Sequence, residues 1–228
     1  MDLKLTFATL MMCSSPLIGF SGETVNIPSG KPITVDGVAD PNEWDDAADI
    51  EFRGGDYIKI KQDGTYLLMA IKGEKLGISS LAFHSDDEVR IFHASSGLIT
   101  AVYKNQGDHW VQTEEFRSEG QILARAEDGD EAKMAKNLEL YGWCANILAI
   151  KPPADFDEQN ITEFKISLDH FENGASTMSV VFSQRTAEIR LAHAPIDLAD
   201  GSLNNPMVHG SNVEVLQFEP QTWLLLKW

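Results

Sequence analysis

Apolar and polar residues alternate with a period of two along much of this chain, the spacing that turns one face of a β-strand toward a core. In YIKIKQDGTYLLMAIKG, Ile58 and Ile60 alternate with Lys59 and Lys61, Asp63-Gly64 marks a two-residue turn, and a β-rich strand returns. The stretch predicts a hairpin with a type I′ turn, for which Asp-Gly is a favoured central pair. LAFHSDDEVRIFHAS repeats the pattern about a Ser-Asp-Asp-Glu turn, and GLITAVYKNQGDHWVQTEEF repeats it about Asn105, Gln106 and Gly107. Further strands are read in WCANILAI, ITEFKISL, STMSVVFS, AEIRLAH, NVEVLQF and TWLLLK. One helix is predicted within EDGDEAKMAKNLELYG, opened by acids and stopped by Gly142. Strands at this spacing predict an all-β fold: a single antiparallel β-sandwich, jelly-roll-like, of immunoglobulin size or larger, with that one short helix.

Length changes little in this picture, since 228 residues fit one large sandwich. No linker, internal repeat or low-complexity stretch divides the chain. Hydrophobic residues make up 43%, enough for a buried core. Charge is more selective. The formal net charge is -17 and the pI about 4.6. Such a surface repels phosphate, and no cluster of Lys and Arg offsets it, so nucleic acid is excluded as a partner.

The first residues read as a targeting segment. MDLK precedes LTFATLMMCSSPLIGFSG, which Ser14, Ser15 and Pro16 interrupt. That run is too short and broken for a membrane span, which needs about 20 apolar residues. It suits a signal peptide over 1–21, with Gly19, Ser21 and Gly22 as the small-residue exit and cleavage near Ser21. The expected location is then periplasmic or extracellular, with one domain over 22–228. Asp2 offsets Lys4 in the charged start, so an N-terminal strand or disordered tail is the alternative. LMMC resembles a lipoprotein cleavage box, with Met12 where a small residue is expected. Cleavage would leave Cys144 as the only cysteine, which allows no intramolecular disulfide and no CxxC pair.

ITVDGVADPNEWDDAADIEF sets a tryptophan among carboxylates between two strands. The acids could bind a cation, the ring could stack on a ligand, or the element could be an architectural latch. The ordered series ITVDG, NEW, TYLLMAI, DDEVRIF, ITEFKISL and NVEVLQF resembles family-9 carbohydrate-binding modules and the related DOMON-like sandwiches, over nearly all of the chain after residue 21. The resemblance implies a β-sandwich, a glycan or sugar-containing polymer as partner, and no catalysis. It also makes Asp36, Gly37, Glu43 and Trp44 a structural latch. Sugar binders of that family resemble an aromatic clamp of two tryptophans. Here Phe83-His84 stands at the first place, and NNPMVHGSN, with Met207 and His209, at the second.

Other rings could rebuild the clamp. Trp110 follows Gly107-Asp108-His109 at a hairpin tip, and Tyr103 lies on the partner strand. Trp110 is therefore either a sugar platform, with Tyr103, His84 and Phe83 beside it, or an edge ring covering the sandwich. Trp143 enters an apolar strand, and one at least of Trp223 and Trp228 should be buried.

Carboxylate groups at Asp45, Asp46 and Asp49, at Asp86, Asp87 and Glu88, and at Asp128, Asp130 and Glu131 are raw material for calcium, which takes six to eight oxygens. None has EF-hand spacing; DHFENG fails at Phe171. The set Asp86, Asp87 and Glu88 is the metal candidate, against the simpler reading of solvated acids. No GxSxG, HExxH or P-loop motif supports an enzyme, although two carboxylates of a glycosidase pair would leave no local signature. Some DOMON-like relatives bind haem, and the resemblance offers Met69 with His84 or His93, the two histidines facing each other across a hairpin, as a non-covalent axial set. A structural envelope protein with no small ligand is the third class.

Overall fold

The computed structural model describes residues 23–37, 39–51, 57–73, 77–95, 97–117, 144–146, 161–171, 174–185, 189–195 and 218–228. The expected signal peptide over 1–21, the helix expected in 127–142 and most of NVEVLQF lie outside them. Thirteen strands run through the described residues: β1 (Thr24–Asn26), β2 (Ala48–Glu51), β3 (Tyr57–Gln62), β4 (Tyr66–Lys72), β5 (Gly77–Ser85), β6 (Glu88–Ala94), β7 (Leu98–Asn105), β8 (Trp110–Arg117), β9 (Cys144–Asn146), β10 (Ile161–Ser167), β11 (Ala175–Arg185), β12 (Ile189–Ala194) and β13 (Leu224–Lys227).

They form an all-β sandwich of two sheets. The eight-stranded sheet runs β1-β13-β11-β5-β6-β7-β8, with β12 also on β11. The five-stranded sheet runs β2-β3-β4-β10-β9. Pairing is antiparallel except at β1, whose Thr24, Val25 and Asn26 lie parallel to Leu225, Leu226 and Lys227 of β13. The length of β11 explains the branch. Ala175–Met178 pairs with β13 and Val180–Arg185 with β12 along one edge, while β5 fills the other. At the start of β5 the backbones come close: a Cβ on Gly77 would lie 2.5 Å from the carbonyl oxygen of Ser183.

Alternation builds the main core between the sheets. Leu81, Phe83, Phe92, Met178, Val180 and Leu226 face inward from one side, and Ile58, Ile60, Met69, Ile71, Phe164 and Ile166 from the other. Phe83 stands edge-on to Phe92 and tilted against Phe171, ring centroids 6.0 and 5.0 Å away. The outer faces are covered as well. Ala82, Val89, Ile91, Ala101 and Tyr103 carry Phe218 and Trp223 over the eight-stranded sheet. Leu68, Ala70 and Ile161 carry Trp44 over the five-stranded one.

The three predicted hairpins form, with two corrections. The β7–β8 turn, expected at Asn105, Gln106 and Gly107, centres on Gly107-Asp108: Asn105 pairs with Trp110 in the ladder and Gln106 N–H donates to the His109 carbonyl at 2.9 Å. The turn between β3 and β4 centres on Gly64-Thr65, not Asp63-Gly64. Asp63 N–H donates to the Tyr66 carbonyl at 3.1 Å, and φ is positive at Gly64 (90°) but at neither Asp63 nor Thr65. A positive φ at the first central residue alone is the type II′ pattern, not type I′. Asp63 contributes through its side chain, whose Oδ1 accepts from Thr65 N at 2.9 Å and Tyr66 N at 2.7 Å. That Asx-type capping makes Asp stable just ahead of the turn.

Truncating a ring between the sheets leaves a cavity that rigid strands cannot close. Phe83→Ala is expected to cost about 3–5 kcal/mol in urea unfolding, whereas Phe116→Ala, on a ring 62% exposed, stays within about 0.5 kcal/mol.

Candidate functional site

Two places gather polar and aromatic chemistry, one on each outer face. The first is a strap, residues 31–37 and 39–47, lying across the five-stranded sheet. Pro41-Asn42 turns it, with Asn42 in the left-handed region (φ 68°) that Asn tolerates better than most side chains. Ile33, Trp44 and Ala47 rest on Leu68, Ala70, Ile161 and Tyr66. Glu43 stitches the strap to itself: its carboxylate accepts from Thr34 N at 3.0 Å and Asp40 N at 3.3 Å.

Two sheet residues then fix the strap from below. Glu163 of β10 is fully buried. Its Oε2 accepts from the backbone N–H groups of Asp36 (3.1 Å) and Gly37 (2.9 Å), and its Oε1 from the Trp44 indole N–H (3.2 Å). Gly37 has φ 78°, so glycine is required where the amide turns down to the carboxyl. Lys61 of β3, also fully buried, donates to the Glu43 carbonyl and to Asp46 Oδ1, both at 2.6 Å. Its ammonium also lies 5.3 Å from the centroid of the Trp44 ring. The Lys61 hydrogen bond holds the Asp46 carboxyl below its ordinary range. Burial, reinforced by the nearby Glu43 charge and opposed by the three N–H donors, pushes Glu163 up to about 7.

The sequence marks the strap side of this array, Asp36, Gly37, Glu43 and Trp44. It does not mark Lys61 and Glu163. Both stand at outward positions of alternating strands, and such positions read as solvated until something covers them.

The second place is on the outer face of the eight-stranded sheet, where the β5–β6 and β7–β8 hairpin tips meet. Asn105 N–H donates to the Asp87 carbonyl at 2.9 Å and joins the tips. Trp110 pairs with Asn105, and Tyr103 with Gln112, so the two rings are not cross-strand neighbours. Phe218 brings them together instead, with centroids 5.4 Å from both. His84 stands edge-on to Trp110 at 6.1 Å. Trp110 is half-buried, and Tyr103 is buried with its hydroxyl donating to Gln112 at 3.2 Å. Burial pushes the Tyr103 hydroxyl up to about 12 and lowers the His84 imidazole, so both are neutral near pH 7. Phe218 ends NVEVLQF, a segment read only as a closing strand, and no local pattern announced its role. Two groups near this face, Thr177 Oγ1 and Trp223 Nε1, are buried without a hydrogen-bond partner among the described residues.

Several expected neighbours are separated. Phe83 is not beside Trp110: it points into the core, on the opposite side of the sheet from His84. His84 and His93 do not face each other. His84 pairs with Val89 and His93 with Ser80, four residues apart along the strand or about 13 Å. His93 is buried, its Nδ1 2.7 Å from Ser80 Oγ, and burial lowers it to about 4. Met69 lies between the sheets while both histidines are on the outer face, so the axial set expected for haem is not brought together. Among Asp86, Asp87 and Glu88, Glu88 pairs with Arg90 at 2.7 Å and Asp86 occupies the turn with φ 53°. Among the described residues no group of three or more His, Cys, Asp or Glu is placed to hold a metal ion. No helix among them is long and apolar enough to cross a membrane.

No family model, no curated protein and no solved structure matches this chain.

The strap geometry separates two parts of what Trp44 does. Trp44→Phe keeps a ring on Leu68 and Ala70 but removes one donor from a buried carboxyl, and should cost about 1–2 kcal/mol. Trp44→Ala also loses the ring, and should cost about 3–5 kcal/mol. In urea unfolding at one pH, a Trp44→Phe variant as stable as the wild type would show that the indole N–H contributes nothing, and equal losses in the two variants would show the same of the ring.

Proposed function

We propose that this chain is a non-catalytic carbohydrate-binding module whose ligand lies on the outer face of the eight-stranded sheet, over Trp110. The observation that carries the reading is the state of that ring. Among the aromatic residues of the Tyr103–Phe218–Trp223 group, Trp110 is the one left half-buried, braced edge-on by Phe218 and His84. A braced indole loses little freedom when a flat apolar ligand face stacks on it, and sugar C–H faces are of that kind. Asn105, opposite Trp110 in the ladder, and Asp108, His109 and Gln112, within two residues of it in sequence, carry hydrogen-bonding side chains at this end of the hairpin. His109 Nδ1 and Asp108 Oδ1 are 2.5 Å apart and Gln112 donates to Glu115 at 2.8 Å, so the polar groups are partly ordered before any ligand arrives. The ordered series from ITVDG to NVEVLQF, similar to family-9 carbohydrate-binding modules, supports the same class.

Binding to a glycan array is the test. Saturable binding by the wild-type chain should weaken more than about tenfold in Trp110→Ala, as loss of a central aromatic anchor does. Phe218→Ala, which unbraces the ring, should weaken it less. The signal should persist in chelator, since among the described residues no metal-holding cluster stands near the ring. A folded protein that binds no glycan would favour a purely structural role in the envelope.

A further inference from the structure

We propose that the chain forms a two-fold homodimer in which β8 pairs antiparallel with β8 of a second copy, Val111 opposite the partner's Phe116. The inference stands on the edge of the eight-stranded sheet and does not depend on the carbohydrate reading.

Among the described strands, β8 ends that sheet and pairs with β7 alone. It is eight residues long, and its last six, Gln112–Arg117, are exposed. Phe116, at 62%, is more open than any other large hydrophobic side chain among the described residues. A strand edge of this kind presents a row of backbone N–H and C=O groups that can template another strand. Charges and bulges normally guard such edges, and β8 carries both. Here each favours pairing with a copy of itself.

The bulge does so through geometry. Trp110, Gln112, Glu115 and Arg117 stand opposite Asn105, Tyr103, Ala101 and Ile99, on the outer face. Val111, Glu114 and Phe116 stand opposite Lys104, Val102 and Thr100, on the other. Thr113 is the extra residue at the register shift, its hydroxyl donating to the Val102 carbonyl at 3.3 Å. The order of faces along β8 therefore reads the same from either end. An unbulged strand of this length would not, because strict alternation puts its first and last residues on opposite faces. Directly opposed residues of an antiparallel pair share a face. A two-fold axis between Thr113 and Glu114 thus pairs β8 with its copy over the whole strand, with the three pairs outside the bulge on matching faces.

The side chains then complement one another. Trp110 meets the partner's Arg117, a ring and a guanidinium. Val111 meets the partner's Phe116, an aromatic and β-branched pair of the kind that stabilises sheets. Gln112 meets the partner's Glu115 and Thr113 the partner's Glu114, a donor facing a carboxylate in each case. By symmetry every pair occurs twice. Glu115 already accepts from Gln112 at 2.8 Å and is paired with Arg117, so its charge enters the interface compensated.

Neighbouring registers lose this match. Sliding one way by one residue sets Glu114 opposite the partner's Glu114, and by two opposite the partner's Glu115. Like charges directly opposite each other are destabilising. Sliding the other way sets Phe116 opposite the partner's Trp110, on the wrong face, and then beyond the strand's end. One short ladder is smaller than a standard interface, and each chain carries a net charge of -17. The dimer is therefore weak and reversible, of about micromolar affinity.

Sedimentation velocity over a concentration series measures the association, in about 0.15 M salt to screen repulsion beyond about 8 Å. The wild-type chain should pass from monomer to dimer as its concentration rises. Val111→Lys and Phe116→Glu should each weaken the dimer more than about tenfold, because symmetry makes each substitution act twice. A one-to-one mixture of the two variant chains should restore it. One Val111–Phe116 pair then survives, and the other becomes a lysine opposite a glutamate. Should either variant fail to fold, Phe116→Ala, on its exposed ring, carries the test through a similar loss. A chain that stays monomeric throughout overturns the proposal. So does a dimer that the substitutions leave unchanged, which would mean another interface. A mixture of folded variants that stays monomeric overturns it too, since only this register brings positions 111 and 116 together.

Discussion

A strand buried on both faces must send neighbouring side chains into two environments that never meet. This constraint governs β5, the strand between the long β11 and the β6–β8 meander. Leu81 and Phe83 enter the core between the sheets, while Ser80, Ala82 and His84 face the outer layer under Phe218 and Trp223. One residue of register separates packing from candidate recognition, and a slip would exchange the two sets. The close approach of Gly77 to the Ser183 carbonyl helps hold that register where β5 begins.

The two outer faces are covered by different physics. Over the eight-stranded sheet the cover is aromatic, rings meeting edge to face with centroids 5.4–6.1 Å apart. Over the five-stranded sheet one aromatic ring is framed by two buried ionisable side chains, Lys61 and Glu163, bound mainly to backbone groups of the strap. Apolar layers tolerate small shifts, because dispersion and area burial are non-directional. Buried hydrogen-bonded groups do not, because an unmade bond there costs the full desolvation of the group. The strap is thus held in one place by direction, and the aromatic cover by area.

Much of this architecture is legible in the sequence, and the illegible part has a common cause. Alternation in YIKIKQ names the inward residues Ile58 and Ile60 correctly, whereas in EVRIF the alternating Val89 and Ile91 face the outer layer and Phe92 enters the core between the sheets. The latch residues are legible through turn chemistry, because Gly37 and Asn42 take the left-handed backbone that few other residues accept. The same alternation misleads at Lys61 and Glu163. A polar outward residue carries no sign of whether a strap more than a hundred residues away in sequence, as for Asp36 and Glu163, will cover it. It misleads again at His84 and His93, where a hairpin was legible but not its register, so residues read as facing each other are four positions apart. Phe218 and its bracing of Trp110 depend on where a distant segment returns, and nothing local encodes that.

The parallel pairing of β1 with β13 bears on how the molecule resists force. Its ladder is short: Leu225 N–H donates to the Glu23 carbonyl at 2.8 Å and Ile27 N–H to the Lys227 carbonyl at 2.7 Å. Because the strands run the same way, the entrance of one and the exit of the other lie at opposite ends of the ladder. A pull between Glu23 and Trp228 therefore slides β1 along β13 and loads these bonds together, rather than peeling them one at a time. Stretched between these two residues, the ladder yields by shear, like a lap joint and not a zip.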